Sequence, residues 1–198
     1  MRSAAPRLAE RLADHTQGLI LQSALELLER APVACLTVRA VAAHAFISER
    51  TVFRYFATRE DLLDAVAQAA SARMELPPDP ASIEELLTYP RTLYTRFEAT
   101  AAITRATLHS DLFPRLRGAQ AQRRWQAVRA LVDAHAPKRP EADRAIAAAN
   151  IRYFLNATTW NYYRAYFGFT LERTIAAAET ALRQTIQGLA GKRARDKR

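Results

Sequence analysis

Apolar residues recur along this chain at intervals of three and four, and no stretch shows the sustained apolar–polar alternation of a half-buried strand. The pattern predicts an all-α fold of about nine helices. Ile20, Ala24, Leu27 and Leu28 form a stripe that places a first helix from Leu8 to Arg30. A short second helix starts at Thr37, a good N-cap, with Val38, Val41, Ala42 and Ala45 inward. After a turn at Phe46 and Ile47, Ser48 caps a third helix whose Val52 and Phe56 lie one turn apart and face inward. The Thr58-Arg-Glu-Asp61 segment opens a fourth helix, with acidic groups at the positive end of its dipole and Leu62, Leu63 and Val66 continuing it.

Prolines punctuate the rest, because a helix interior needs the donor they lack. None lies between Val33 and Leu76, and Pro77, Pro78 and Pro80 then come close together. This divides the chain into an N-terminal domain of residues 1–76, a helical domain of 77–191 and a basic tail of 192–198, expected to be disordered. In the second domain, Leu86, Leu93, Phe97, Ala101, Thr104 and Leu108 mark a stripe that Pro90 should interrupt or kink. Trp125, Val128, Val132 and His135 mark a helix from Ala119 to His135, and the cluster Arg115, Arg117, Arg123 and Arg124 reads as solvated surface. A pocket for a small molecule is expected around Phe97, Thr100, Thr104, Trp125, Tyr153, Phe154 and Thr158, although the same side chains could pack the core.

Eight aromatic residues crowd into positions 153–169. Gly168 ends that helix, and Leu171, Ile175, Ala178, Leu182, Ile186 and Leu189 then repeat at helical spacing. Two consecutive antiparallel helices, each with more apolar face than one domain needs, predict a two-fold four-helix interface and hence a homodimer. Its contacts are expected from Trp160, Tyr163, Phe167, Ile175, Ala178, Leu182 and Ile186. Packing of the aromatics within one protomer is the competing reading.

Charge sharpens the picture only locally. The formal net charge is +9, yet residues 1–75 sum to zero, 76–189 to +5 and 190–198 to +4. Within Thr37–Arg59, however, Arg39, Arg50, Arg54 and Arg59 face only Glu49. A single cysteine, Cys35, excludes an internal disulfide, and four scattered histidines suggest no metal site. No apolar run is long enough to span a bilayer and no leader pattern is present, so a cytoplasmic protein without membrane contact is expected. A nucleophile elbow, a glycine-rich phosphate loop and metal-spaced ligands are all missing, which argues against an enzyme and against a cofactor.

Two short helices joined by a tight turn can set the second in the major groove of DNA. At about 100° per residue, Arg50 and Arg54 lie opposite Val52 and Phe56, so two guanidinium forks share the exposed face. An amphipathic helix that merely solvates its outer side would carry the same pair. The run from Leu36 to Leu63, and above all its Ser-x-x-Thr-Val-Phe-x-Tyr-Phe-x-x-Arg-Glu-Asp-Leu-Leu portion, closely resembles the DNA-binding signature of the TetR family. That resemblance covers about a third of the chain. It implies a homodimeric regulator, a repressor released from a double-stranded operator by a small-molecule effector.

Carried over by position, the resemblance implies that Thr37, Arg39 and Arg59 hold phosphate. Glu49, Arg50 and Arg54 occupy base-reading or groove-facing positions, and Thr51 and Tyr55 sit where family members touch the backbone. Ser48 and Phe53 complete the surface. Phe53 stands where tyrosine is frequent, so a phosphate bond from that hydroxyl is lost. Phe46 stands where the family has a glycine, at a turn position that asks for positive φ. A repacked turn with the ring against the first helix is expected. A nucleoid-like DNA binder without effector control is the alternative function.

Overall fold

The computed structural model describes residues 8–31, 33–108 and 112–191; the basic tail at 192–198 lies outside them. Among the described residues the regular structure is helical throughout, with ten α-helices, a 3-10 turn at Val33–Cys35 and a π-helical turn at Tyr162–Tyr166. The chain packs into two units. Of the described residues, one holds those up to Arg73 together with those of Arg105–Leu116, and the other holds Met74–Thr104 and those from Arg117 onward.

The first unit is built on α1 (Leu8–Arg30), α2 (Val38–His44), α3 (Glu49–Tyr55) and α4 (Arg59–Met74). Ile20, Ala24 and Leu28 of α1 are buried, as are Val41 and Ala42 of α2, Val52 of α3, and Leu62, Leu63 and Val66 of α4. Helices α2, α3 and α4 are each started by a side chain that satisfies a free amide. Thr37 Oγ1 accepts from Ala40 N at 3.1 Å and Ser48 Oγ from Thr51 N at 3.1 Å. At α4 the capping is reciprocal: Asp61 N donates to Thr58 Oγ1 at 3.1 Å, and Thr58 N donates to Asp61 Oδ2 at 2.9 Å. Arg115 ion-pairs with both Glu60 and Asp64, one turn apart on α4, so it is not the solvated charge expected.

The second unit centres on α5 (Ile83–Ala99), the last part of α7 (Leu112–His135), α8 (Glu141–Phe154), α9 (Ala157–Asn161) and α10 (Leu171–Gly191). Its core joins Leu86, Leu93, Tyr94 and Phe97 to Val128 and Val132, to Ile151 and to the inner face of α10. α5 runs without a break through the buried Pro90. The interruption comes at Thr100 instead, whose φ of −117° and ψ of 32° separate α5 from α6 (Ala101–Leu108). A second break falls after Phe154, where Asn156 caps α9 by accepting from Thr159 N at 2.8 Å. The aromatic segment is therefore three pieces rather than one helix. Gly168, at φ +65°, ends it. The far end of α10 is closed by Arg139, whose Nε donates to the Leu189 carbonyl at 2.6 Å.

Candidate nucleic-acid interface

The turn between α2 and α3 fixes the aim of α3. Phe46 N donates to the Ala43 carbonyl at 3.3 Å and Ile47 N to the Ala42 carbonyl at 3.0 Å. That pair of bonds is the Schellman arrangement, which satisfies the last free carbonyls of α2 and requires a left-handed residue between helix and strand-like exit. The left-handed residue is Phe46, at φ 54°, and its ring is 95 % exposed. The expected repacking against the first helix does not occur. The backbone keeps the glycine-type geometry because two carbonyls and the inward turn of Ile47 depend on it, and the ring is left in solvent.

Ser48 then starts α3, with its hydroxyl also 2.8 Å from that of Thr51. Val52 and Phe56 are buried beneath the helix. Glu49, Arg50, Phe53 and Arg54 are exposed on it, and Arg39 is exposed near the start of α2. This brings the sequence-selected cations onto solvent-facing positions of α2 and α3, with Thr37 exposed at the cap. Two side chains are less free than the sequence suggests. The Arg54 guanidinium lies 5.2 Å from the centre of the Tyr55 ring, which is half-buried, and Arg59 pairs with Glu60 at 3.4 Å. The neighbouring Thr16 hydroxyl, and after it Arg54, hold the Tyr55 hydroxyl below its ordinary range. Sequence reasoning did not find Thr16, because the contact joins α1 to α3.

The arrangement is suited to grip a polyanion. Arg50 and Arg54 recur one turn apart on a helix whose opposite side is locked into the core, so their forks are carried by a rigid support. Among the described residues no three of His, Cys, Asp and Glu converge as a metal site, and no helix is long and apolar enough to cross a membrane.

Of the residues expected to line an effector pocket, Phe97, Trp125 and Phe154 pack into one core cluster. Phe97 and Thr104 are buried in packing, Thr100, Trp125 and Phe154 are half-buried, and Tyr153 and Thr158 are exposed. The Phe97 and Trp160 rings pack tilted with centroids 5.8 Å apart, and Thr100 shares a 3.1 Å hydroxyl contact with Thr104. The residues expected at a dimer interface need correction. Trp160, Ile175, Ala178, Leu182 and Ile186 are buried inside the unit, where α10 packs on α5 and α8. They have no surface left for a partner. Of the seven, Tyr163 is half-buried and Phe167 exposed. Arg164 and Trp160 instead converge on Glu98, with Arg164 Nε donating at 2.9 Å and Trp160 Nε1 at 3.2 Å, so that turn is anchored by an ion pair.

Residues 20–66 match the family model described as bacterial regulatory proteins, tetR family. No curated protein sequence matches the chain. Among solved structures, it is similar to a TetR-like transcriptional regulator from Rhodococcus sp. RHA1, with 16% identity, a TM-score of 0.60, and 96% of this chain and 100% of that one covered. It is also similar to a glutamine-to-alanine variant of TetR from Acinetobacter baumannii AYE in complex with minocycline, with 19% identity, a TM-score of 0.50, and 87% and 95% covered. At these identities the likeness is one of fold.

Proposed function

We propose that this chain, a TetR-family regulatory protein by its matched head, is a homodimeric repressor that leaves its operator when a small molecule binds the second unit. The observation that carries the DNA-binding part is the division of α3: Val52 is closed into the core while Glu49, Arg50 and Arg54 stand exposed on a helix started by Ser48. Such a helix, with polar forks outward, fits the major groove, and Arg39 and Arg59 supply phosphate contacts on either side in sequence.

For the dimer we propose the outer sides of α8 and α10. Ile146 and Tyr153 are 61 % and 63 % exposed, and Ala142, Ala149 and Ala176 are exposed with them. Small residues alternating with large apolar ones along α8 allow a second copy to approach closely, which suits a two-fold helical interface. Two copies place two α3 helices for two half-sites, and an effector that favours one spacing shifts the population between bound and released forms. Cytoplasmic residence and the lack of catalysis belong to the same reading.

The test is selection of bound fragments from sheared genomic DNA, followed by anisotropy titration of the selected duplex and a random one. A specific regulator prefers its own site by about a thousandfold or more at fixed salt. Equal affinity for both duplexes makes the protein a nucleoid-type binder instead.

A further inference from the structure

We infer that Phe53 reads thymine: its ring packs against the 5-methyl group that a T·A pair presents in the major groove, and so sets base preference at one position of each half-site. This rests on the operator-binding reading above and deepens it, since it gives α3 an apolar contact beside its charged ones.

The ring stands on the outward side of the helix. At about 100° per residue, Phe53 lies one turn beyond Glu49, about 40° around the helix from it and about 60° from Arg50. Val52 and Phe56 are buried beneath α3, whereas Phe53 is 47 % exposed. Glu49, Arg50, Phe53 and Arg54 are the exposed residues of α3, and of these four Phe53 alone carries no polar atom on its side chain.

Its neighbours decide what the ring can meet. Glu49 shares its strip of the helix, and a carboxylate beside a hydrocarbon ring makes a poor seat for phosphate. The acid repels the anion and the ring offers it no donor. Base edges suit the strip better, because Glu49 can accept from an exocyclic amino group while the ring meets a methyl. The Arg54 guanidinium is drawn elsewhere: it lies 5.2 Å from the centre of the Tyr55 ring, and Tyr55 is about 160° around the helix from Phe53.

Between the two pyrimidines the chemistry favours thymine. An apolar ring in water gains by covering other apolar surface, and the thymine methyl is the apolar group that the major groove offers. Cytosine has only a C–H at that place and an amino donor beside it, which the ring would strip of water without replacing the bond.

The test uses the full chain and the duplex selected from genomic DNA. Thymidine is replaced by deoxyuridine one position at a time, which removes the methyl and leaves base pairing unchanged, and affinity is read by anisotropy. The parent is expected to lose about fourfold at one position of each half-site, the worth of one buried methyl-sized group. Phe53→Ala should bind the selected duplex about tenfold more weakly and show no deoxyuridine penalty at that position, with its affinity for the random duplex unchanged. Arg50→Ala, which keeps the ring, should retain the penalty. Circular dichroism melting accompanies each variant, and Phe53→Gln, polar and a good helix former, replaces Phe53→Ala if that protein does not fold, with the same loss of the penalty expected. Specific binding with no position sensitive to deoxyuridine, or a penalty as large in the Phe53 variants as in the parent, overturns the inference and leaves the operator reading intact. Equal affinity for selected and random duplexes is a separate failure, of the operator reading itself, and takes this inference with it.

Discussion

The Ile47 amide donates to the Ala42 carbonyl at 3.0 Å across a phenylalanine held at φ 54°. A left-handed L-residue costs roughly 1–2 kcal/mol, and the exposed ring of Phe46 returns nothing from packing. Glycine adopts the same backbone freely but loses about 0.5–1 kcal/mol more conformational freedom on folding. Phe46→Gly is therefore expected to stabilise the protein slightly, by about 0.5–1 kcal/mol, or some 2 °C in melting temperature. Phe46→Val, branched at Cβ, should lower it. Thermal denaturation of the three proteins checks the order, and a glycine variant less stable than the parent would show that the ring packs in solution.

The capping side chains allow a second expectation. Ser48→Ala and Thr58→Ala each remove an acceptor from a helix start and should cost about 1 kcal/mol in urea denaturation. Because Ser48 starts the helix that carries Arg50 and Arg54, its loss should also weaken DNA binding, whereas Thr58→Ala should act mainly on stability. Equal loss of DNA affinity in the two variants would contradict this division.

On DNA itself, Arg39→Ala and Arg59→Ala should weaken all duplexes alike and flatten the dependence on salt. Arg50→Ala and Arg54→Ala should relax preference at particular base pairs, by roughly 1–3 kcal/mol each. Anisotropy titrations over a salt series, on the selected site and single-base variants of it, separate the two behaviours. If the four replacements share one salt slope and one base profile, α3 does not read sequence.

Acid should act through α1. Glu26 accepts from His44 at 2.9 Å, and that bond, followed by one from Gln22, holds its carboxyl below the ordinary 4.5. A depressed acid adds stability above its unfolded value, and the gain is lost as pH falls through the lower folded value. Glu26→Gln should therefore narrow the stability gap to the parent as pH drops below about 4.5, with a constant gap at higher pH. Urea midpoints from pH 3 to 7 measure it; parallel curves throughout would remove the His44 bond from the account.

The proposed dimer face makes a contrast available. Ile146→Glu should dissociate the dimer while leaving each protomer folded, since that side chain is exposed. Leu182→Glu should unfold the protein, because it buries an unpaired charge in the core. Sedimentation equilibrium and circular dichroism together distinguish the outcomes, and an Ile146→Glu protein that stays dimeric at micromolar concentration rules out this face.

These contrasts also explain what could be read from sequence. Helix starts were legible because Thr37, Ser48 and Thr58 carry the capping chemistry themselves. The α3 face was legible because Val52 and Phe56 against Arg50 and Arg54 is an amphipathic division within one element. The surface proposed for a second copy was not. Ile175, Ala178, Leu182 and Ile186 form the most regular apolar stripe in the chain, and regularity marks burial without saying against what. The outer side of α8 proposed here, where Ala142 and Ala149 alternate with Ile146 and Tyr153, is too dilute in large apolar residues to stand out. Pro90 drew attention as a breaker, yet the break lies at Thr100, a residue with no local signal for it.

The interior threonines bear on how polar the second unit is inside. Thr174, fully buried, donates to the Thr170 carbonyl at 2.9 Å, and Thr100 and Thr185 do likewise to Arg96 and Ala181 at 2.8 Å each. Each hydroxyl is thus spent on its own helix, and the side chain shows its neighbours a methyl group. To the side chains packed around it, this part of the interior behaves as hydrocarbon despite its oxygen content.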